Sequence, residues 1–463
     1  MWSRPIPPLD PAAAASRLRG RQSGLALLDS AMRHDTLGRS SYLAADPFGS
    51  FRVRGGQAYW NGAPVPGAPL DALRAVLAPY RLAPDPGLPP FQGGAIGYLA
   101  YDLGASLERV APPARRAGLA DDLAVNLYAT IVAFDHRDDT CRLIATGFPE
   151  TDPGARARKA ASDLDALEAL LRGPEPASEA APVPPLAWRS NFTAESYARA
   201  VDRVRDYIRA GDIYQANIAQ RFEAALPPGF DAFAFYRRLR VLNPAPFAAY
   251  LEIDGLTLAS SSPERFLRLD GRQVETRPIK GTARRATDPA EDRARAEALA
   301  ANPKERAENV MIVDLLRNDL SRICAPHSVA VPTLCGLETY AGVHHLVSAV
   351  TGTLKAGTDG LDLLAATFPG GSITGAPKLR AMDIITEIEG DAREVYCGAI
   401  GWIGFDGSLD TSIAIRTVML DARRAVLQAG GGVTLLSDPE AEYRETLTKA
   451  ERVFAAFPSG ERS

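Results

Sequence analysis

A segment rich in proline and small residues divides this chain of 463 residues. Residues 173–185 read GPEPASEAAPVPP, a composition that neither a packed helix nor a central strand can accommodate. We therefore expect a linker or surface crossing at 173–188. It separates an N-terminal region at 1–172 from a second region at 189–457, in which most of the chemically suggestive sequence lies.

Composition excludes several classes of protein. The net charge of −4 and the pI of about 5.9 leave no basic footprint for nucleic acid, so an anionic substrate needs a local group of positive charges. No apolar run approaches the ~18 residues of a membrane span, and the N-terminus MWSRPIPPLD does not resemble a signal peptide. The four cysteines form no C-x-x-C pair. We expect a cytoplasmic enzyme that binds neither nucleic acid nor membrane.

Apolar runs predict β-strands in both regions. Residues 127–134 and 141–146 flank the turn-rich sequence HRDDT, which indicates a β-hairpin. After the linker, three further strands are predicted at 248–253, 257–260 and 266–269.

Three helices of the second region have recognisable ends. Thr193 can cap an amphipathic helix that Gly211 terminates. Asn302 and Asp438 each precede a proline at the first position of a further helix. These two helices are expected to end near residues 319 and 454.

Each of these two proline-initiated helices carries a pair of glutamates on one face. Glu305 and Glu308, like Glu442 and Glu445, have the spacing i, i+3, and Lys449 continues the face of the second helix. Carboxylates without histidine or cysteine are hard ligands that favour Mg²⁺ or Mn²⁺ over zinc. A solvated acidic face is the alternative, because acidic residues also complement the dipole at a helix N-terminus.

Two glycine-rich segments lie before predicted helices. The sequence PGGSITGAPK at 369–378 runs into a helix that we expect to begin at Pro377, where free N–H groups favour an anion. The sequence QAGGGV at 428–433 precedes the Glu442 helix, and its glycines allow close approach to the backbone. We expect both segments to be loops that contact an anionic substrate, with tight turns as the alternative.

Two basic residues stand in apolar surroundings. Arg416, in the strand-like sequence TSIAIRTVML, is costly to bury unless it meets a carboxylate, which is supplied by a substrate or by a structural ion pair. Lys280, in PIKGT, becomes nucleophilic if burial lowers its pKa. A solvated lysine is the alternative there.

Together these segments resemble the chorismate-utilising enzymes, a family that includes anthranilate, aminodeoxychorismate, isochorismate and salicylate synthases. The resemblance begins at LALLDS and PFQGGAIGYLAYD in the N-terminal region. It continues through GDIYQANIAQRF, SSPERF, PIKGT, ERAENVMIVDLLRNDL, HHLVS, PGGSITGAPK, CGAIGW, AIRT and SDPEAEYRETLTKA. It implies an α+β fold of two large β-sheets packed face to face, with helices on the outside.

The resemblance also implies roles for the polar residues. Glu308 and Glu445 match direct Mg²⁺ ligands, and Glu305 and Glu442 match residues that reach the metal through water. The metal in turn binds the ring carboxylate of chorismate. The expected substrate contacts are Tyr396 and Arg416 at the enolpyruvyl carboxylate, Gly430, Gly431, Gly432 and Lys449 near the ring carboxylate, His345 beside the ring, and Thr374, Gly375 and Gln215 in the binding segments.

Three positions indicate the reaction. Gln215 stands where the isochorismate and salicylate enzymes carry a water-activating lysine, so addition of water is not expected. Lys280 stands where anthranilate synthases usually carry alanine, and a lysine there is typical of aminodeoxychorismate synthases. Glu264, in SSPERF, matches their general acid. The resemblance thus implies that Lys280 attacks ring C2, Glu264 protonates the departing C4 hydroxyl, and ammonia then displaces the lysine by attack at C4, toward p-aminobenzoate and folate.

Two alternative functions and two sources of ammonia have to be considered. Anthranilate synthase chemistry is the nearest alternative, because LALLDS, with Ser30, resembles a motif that binds tryptophan in those enzymes. A catalytically inactive scaffold is the other. No cysteine lies in a Gly-x-Cys-x-Gly turn, so ammonia comes from solution or from a separate glutamine amidotransferase subunit, with a heterodimer expected.

Overall fold

The computed structural model describes residues 1–32, 37–175, 185–340 and 342–457. Within these ranges the chain forms two large β-sheets and eleven α-helices. Most of the predicted linker, 176–184, lies outside the described residues.

The strands β1–β24 are, in chain order, Trp2–Ile6, Ala26–Asp29, Ser40–Ala44, Gly49–Arg54, Gln57–Trp60, Ala63–Val65, Gly94–Leu99, Leu123–Tyr128, Thr130–Asp135, Thr140–Ala145, Arg189–Ser190, Gln215–Ala225, Phe247–Ile253, Leu256–Ser262, Arg265–Asp270, Gln273–Thr276, Ile279–Arg284, Ala330–Thr339, Val343–Thr353, Gly375–Ala376, Ala399–Gly404, Leu409–Ile413, Thr417–Leu420 and Arg424–Val433. The helices α1–α11 are Pro11–Leu18, Pro69–Leu77, Gly104–Leu107, Pro153–Arg172, Ala194–Arg209, Ala232–Leu242, Pro289–Ala301, Pro303–Ile323, Gly360–Thr367, Lys378–Glu389 and Pro439–Phe454.

Both sheets are antiparallel and combine strands from either side of the linker. The first has the order β1-β10-β9-β3-β2-β13-β14-β23-β24-β12-β11, with β20 beside β12. The second has the order β17-β19-β16-β15-β22-β21-β7-β8-β4-β5-β6, with β18 beside β19. The regions 1–172 and 189–457 therefore fold around shared sheets.

The sheets pack face to face through an apolar layer. Tyr42 and Ile131 of the first sheet and Ile96 and Trp402 of the second belong to one buried cluster, in which the Tyr42 and Trp402 rings meet edge to face, 6.3 Å apart. Helices cover the outer faces: α1, α4, α6 and α11 pack on the first sheet, and α2, α8 and α9 on the second. The expected fold, an α+β body of two stacked sheets, is confirmed.

The local sequence signals largely located the elements. The hairpin around HRDDT is present as β9 and β10, and Thr193, Asn302 and Asp438 each accept a backbone N–H bond as helix caps. The apolar run 127–134 is not one strand, because it breaks at Ala129. The residues before the break pair in the second sheet and those after it in the first, so this run carries the chain between the layers.

A buried ion pair connects three of the elements that surround the site described below. The Arg393 and Glu389 side chains are 1% and 4% exposed, and their charged atoms lie 2.7 Å apart. The guanidinium also donates to the carbonyl oxygens of Asn217 on β12 and Ile373 before β20. Glu389 accepts the backbone N–H of Ala219. Helix α10 is thereby fixed to β12 and to the glycine-rich loop.

We expect Arg393→Leu to lower the free energy of unfolding by roughly 3–5 kcal/mol, because it leaves the Glu389 carboxylate buried without its partner. Arg203→Leu is the matched control, since it breaks the exposed pair between Arg203 of α5 and Glu387 of α10 and should leave stability unchanged. Urea denaturation followed by circular dichroism measures both. Equal losses in the two variants would contradict the role given to the buried pair.

Candidate active site

Lys280 projects from a bulge in β17. Lys280 pairs with Leu346 of β19, whereas Thr282 pairs with His345, so Gly281 is the extra residue. Its φ of 77° is one that glycine adopts without strain. The bulge turns the Lys280 side chain toward the glycine-rich loop, where its Nζ donates to the carbonyl oxygen of Ser372 at 3.1 Å.

Glu264 lies next to Lys280 and is 5% exposed. Burial raises the pKa of the Glu264 carboxyl group, against the opposing effects of the Ser372 hydroxyl and of the Lys280 ammonium. Burial lowers the pKa of Lys280, although Glu264 and Glu308 oppose it. Desolvation thus favours a protonated acid beside a neutral amine, which are the states that a general acid and a nucleophile require.

The glutamate pairs of α8 and α11 face this lysine from two sides. A Cβ atom on Gly281 would lie 3.0 Å from an oxygen of Glu305, and one on Gly431 would lie 3.1 Å from Glu442 and 3.3 Å from Glu445. No residue with a side chain could replace either glycine without displacing a carboxylate. The two glycines therefore let the backbone pass close to the acidic side chains.

The carboxylates influence one another electrostatically. Burial raises the pKa of Glu308, and the charges of Glu305 and Glu442 add to that effect. Burial and the Glu445 charge raise the pKa of Glu442. Partial burial acts to raise the pKa of Glu445, but the Lys449 ammonium, 2.7 Å away, outweighs it and the pKa is lowered.

These carboxylates suit a hard cation that keeps part of its water. Within the described ranges, no three side chains of His, Cys, Asp or Glu come close enough together to hold a metal by themselves. Mg²⁺ commonly binds through one or two protein carboxylates with water and a substrate anion. Glu308, Glu445, Glu305 and Glu442 fit that mode because they offer oxygen donors without nitrogen or sulfur, and their division into direct and water-mediated ligands stays a prediction.

The segment 428–433 is not a loop, contrary to the sequence prediction. Gly430, Gly431 and Gly432 lie in β24 and pair with β12. A Cβ atom on Gly432 would come within 2.0 Å of the Gln215 side chain, and Lys449 donates to the Gly430 carbonyl oxygen at 2.9 Å. Pairing with β12 keeps the segment extended, and the absence of side chains lets Gln215 and the carboxylates of Glu442 and Glu445 approach its backbone closely.

Gln215 is an acceptor without a partner. The residue is 1% exposed, and its Oε1 atom receives no hydrogen bond from the described residues. A buried amide oxygen in this state is costly unless a ligand supplies a donor. This observation fits the expected position of Gln215 in the binding site.

The segment 369–378 is partly ordered by regular structure. A 3₁₀ turn at Gly371–Ile373 leads into β20, and α10 begins at Lys378 with Pro377 as its N-cap, one residue later than predicted. The Thr374 hydroxyl donates to the carbonyl oxygens of the two preceding loop glycines, 370 and 371. Gly375 pairs with Ala216, where a Cβ atom would lie 2.2 Å from the Gln215 carbonyl oxygen.

Arg416 does not lie in a strand, as its sequence suggested, but in the connection between β22 and β23, with a φ of 51°. Its half-buried guanidinium forms no ion pair or hydrogen bond with any described residue, so the structural ion pair is not observed. Burial lowers its pKa, Arg452 adds to that effect, and Glu264 opposes it. An unpaired guanidinium near Glu264 is suited to an incoming carboxylate.

His345 and Tyr396 are both buried. Burial, with the charge of Arg416, lowers the pKa of His345 to about 4, so the imidazole is neutral at neutral pH; its Nδ1 lies 2.9 Å from the Thr282 hydroxyl. Tyr396 packs against Arg393, and its phenol is directed to Cys397. The N–H of Cys397 donates to Ala414, which brings this turn beside the chain leading to Arg416. No direct Tyr396–Arg416 contact is seen in the described part of the chain.

Ser30 lines a different cavity, of about 670 Å³, at the N-terminal part of the sheet interface. Its hydroxyl donates to the Ser40 carbonyl oxygen at 2.8 Å. Trp402, Arg265 and Asp410 also line the cavity. A tryptophan ligand at this place remains a prediction.

Sequence reasoning missed two groups that border the site. Ser372 contacts both Lys280 and Glu264, and Lys304 lies 4.0 Å from Glu308. The sequence offered two signals for them: Ser372 lies between glycines of the segment 369–378, and Lys304 has the spacing i, i+4 to Glu308.

Comparison with known proteins agrees with this geometry. The sequence pattern of the family described as chorismate binding enzyme matches residues 28–455, and the chain belongs to this family. Among its relatives, aminodeoxychorismate synthase component 1 of Salmonella typhimurium is 43% identical over 83% of this chain and 81% of its own length. Anthranilate synthase component 1 of Geobacillus stearothermophilus is 36% identical over 96% of this chain and 90% of its own.

Solved structures show the same architecture. Anthranilate synthase component I from Streptococcus pneumoniae superimposes with a TM-score of 0.82 at 32% identity, covering 96% of this chain and 97% of that one. The isochorismate synthase MenF from Escherichia coli, at 17% identity, shares the fold with a TM-score of 0.74 and covers 98% and 94% of the two chains. No described helix has the length and apolar character needed to cross a membrane.

We expect Arg416→Met to weaken chorismate binding about 10- to 100-fold, the loss that follows when a hydrogen-bonded charge pair with a ligand is removed. Folding stability should change by less than about 1 kcal/mol, because Arg416 has no partner in the protein. Isothermal titration calorimetry and thermal unfolding measure the two effects. Arg221→Met is the control: it breaks the buried Arg221–Glu394 pair and should cost stability instead. Unchanged affinity in Arg416→Met would contradict the expected contact between Arg416 and the enolpyruvyl carboxylate.

Proposed function

We propose that this chain is the chorismate-aminating component of an aminodeoxychorismate synthase, which converts chorismate and ammonia to 4-amino-4-deoxychorismate for p-aminobenzoate and folate synthesis. The observation that carries the proposal is the buried pair of Lys280 and Glu264, both in contact with Ser372. Relatives named aminodeoxychorismate synthase component 1 are 41–43% identical to this chain over 83–84% of its length, which supports the same assignment.

Chorismate carries two carboxylates, and the site offers separate groups for each. The unpaired guanidinium of Arg416, with Tyr396 nearby, is proposed to hold the enolpyruvyl carboxylate. Lys449 and the backbone at Gly430–Gly432 are proposed to border the ring carboxylate. Neutral His345 supplies a flat, uncharged surface for the ring. Fixing two carboxylates orients the ring over Lys280, and such orientation contributes much of the rate in enzymes.

The chemistry follows from the states of the two buried groups. The neutral amine of Lys280 forms a bond to ring C2, the ring double bonds shift, and the C4–O bond breaks. Glu264 gives its proton to the departing hydroxyl, which leaves as water, and recovers a proton from the new secondary ammonium. Ammonia then bonds to C4, the double bonds shift back, and the Lys280 nitrogen leaves C2 as a neutral amine with the proton of Glu264, which recovers a proton from the new C4 ammonium. The enolpyruvyl group stays on the ring.

Mg²⁺ is the proposed cofactor. Glu308 and Glu445 would hold it, with Glu305 and Glu442 binding its water ligands. When bound, the ion offsets the charge of the substrate carboxylate and orients it. Lys449 already offsets the charge of Glu445 in the protein itself.

A separate glutamine amidotransferase subunit is the proposed ammonia source, in a cytoplasmic heterodimer. The support is the word component in the names of the relatives and the absence of a Gly-x-Cys-x-Gly turn in this sequence. Anthranilate synthase component I is the second candidate function. It is favoured by the 32% identical solved structure and by the cavity at Ser30, but not by Lys280.

Product identification tests the proposal. With chorismate, Mg²⁺ and ammonium, the isolated chain should form 4-amino-4-deoxychorismate, detected by mass spectrometry. Glutamine in place of ammonium should give no product and no glutamate. Anthranilate and pyruvate would identify the second candidate, and the absence of any product would favour an inactive scaffold. Release of glutamate would contradict the division into two subunits.

Lys280 variants separate a nucleophile from a mere positive charge. Lys280→Arg keeps the charge but is a very poor nucleophile, so we expect aminodeoxychorismate formation to fall by at least about 100-fold. Lys280→Ala restores the residue usual in anthranilate synthases, and we expect it to release some anthranilate by direct attack of ammonia at C2. Chromatography of the products measures both. Near wild-type activity of Lys280→Arg would exclude the covalent route.

Removal of a metal ligand tests the Mg²⁺ assignment. Glu308→Gln should lower activity on the order of 100-fold, because the ion contributes several kcal/mol of charge stabilisation, and should weaken Mg²⁺ binding measured by calorimetry. Asp314→Asn, on the exposed face of the same helix, is the control that should change neither. Full activity after thorough EDTA treatment would contradict the assignment.

A further inference from the structure

Ser372 interacts with each member of the buried acid–amine pair. Its carbonyl oxygen accepts a hydrogen bond from Lys280 at 3.1 Å, and its side chain acts on the carboxyl group of Glu264, whose pKa it lowers against the larger, opposing effect of burial. The residue is 9% exposed, so water competes little for these bonds. A single residue therefore links the two groups.

The glycines before Ser372 let the loop enter a narrow space. A Cβ atom on Gly370 would lie 2.8 Å from the Ile413 side chain, and one on Gly371 would lie 2.8 Å from Leu315. The loop is thus wedged between α8 and the end of β22. Side chains at positions 370 and 371 would clash with Ile413 and Leu315, so the loop could not lie here without its glycines.

Carbonyl groups on both sides of Ser372 are anchored. The Thr374 hydroxyl holds the carbonyl oxygens of Gly370 and Gly371, and Arg393 donates to the carbonyl oxygen of Ile373 at 3.0 Å. With its flanking peptide groups fixed, the carbonyl of Ser372 has little freedom to turn away from Lys280. The orientation seen here is therefore set by the protein.

We propose that Ser372 is a positioning residue of this reaction, which aligns Glu264 through its hydroxyl and Lys280 through its carbonyl. The inference rests on the proposed function. Both the bond that forms at Lys280 and the proton that leaves Glu264 belong to the first step, so one loop residue sets the geometry of that step. The hydroxyl also stabilises the carboxylate that Glu264 becomes after it has given up its proton.

The interaction between Ser372 and Glu264 should affect the pH dependence of the reaction. Glu264 faces Lys280, Lys449, Arg416 and Cys397, and Lys280 also faces the carboxylates of two helices, at 308 and 445. A general acid must be protonated, so activity falls as pH rises through the pKa of Glu264. Loss of the Ser372 hydroxyl destabilises the carboxylate and raises that pKa. The alkaline limb of the profile therefore moves to higher pH.

The test compares Ser372→Ala, Ser372→Cys and Thr367→Val in the full chain with Mg²⁺ present. Ser372→Ala should lower kcat about 10- to 100-fold, the factor for a hydrogen bond to a charged group, with KM for chorismate unchanged. Ser372→Cys, a weak donor, should lie between Ser372→Ala and the wild type. Thr367→Val removes a buried hydroxyl just before the same loop, where it bonds only within α9, and should match the wild type.

Several outcomes would overturn the inference. A wild-type kcat and pH profile in Ser372→Ala would do so, as would a raised KM with unchanged kcat, which would make Ser372 a substrate contact. If the wild type forms a product other than 4-amino-4-deoxychorismate, the proposed function fails independently. In that case, the pH midpoint of Lys280 labelling by trinitrobenzenesulfonate decides. A lower midpoint in Ser372→Ala than in the wild type supports the contact, and an equal midpoint excludes it.

Discussion

The buried ion pair of Arg393 and Glu389 is the interaction on which the site depends. Its charges are removed from water, which is costly, and the cost is offset by hydrogen bonds to three backbone groups of β12 and the glycine-rich loop. The Arg393 carbonyl oxygen accepts from Gln428 of β24 as well. The elements proposed to bind substrate therefore converge on one pair of side chains, which contacts none of the proposed reacting atoms.

Polar groups closer to Lys280 have fewer hydrogen-bond partners than the Arg393–Glu389 pair. This difference distinguishes residues that stabilise the fold from residues that are candidates for binding a ligand. Each guanidinium nitrogen of Arg393 donates a hydrogen bond, whereas the Arg416 guanidinium donates none among the described residues. Gln215 leaves an acceptor open at 1% exposure. Lys280 and Glu264 are held where burial disfavours the charge of each. Unpaired and desolvated groups of this kind are typical of functional sites.

Much of the fold followed from local signals, because caps and turns act over a few residues. Asn302 and Asp438 located the helices that carry the glutamates, and the hairpin at β9 and β10 was evident. The expected fold class came from the family resemblance. The errors arose where pairing with a strand distant in sequence determines the secondary structure. The glycines at 430–432 were expected in a loop, but they are a strand because β12, far away in sequence, pairs with them.

The candidate site shows the same division. The sequence contained Lys280, Glu264 and the four glutamates, yet the role proposed for Ser372 depends on how a loop is wedged against α8. Arg416 was expected in a strand, but the chain crosses there from one sheet to the other. The hydrophobic periodicity of a sequence does not indicate where a chain passes from one sheet to another. Residue types could be predicted from sequence, whereas contacts between segments that are distant in sequence required the structure.

The covalent role of Lys280 is the central claim, and mass analysis of the protein after reaction with chorismate tests it most directly. Without ammonia the second step cannot occur, so protein incubated with chorismate and Mg²⁺ and then quenched should retain the adduct. After proteolysis, the peptide containing Lys280 should carry the added mass of chorismate less one water, and the same peptide from Lys280→Arg should not. An unmodified Lys280 peptide, in a preparation that forms 4-amino-4-deoxychorismate as soon as ammonium is added, would contradict the account.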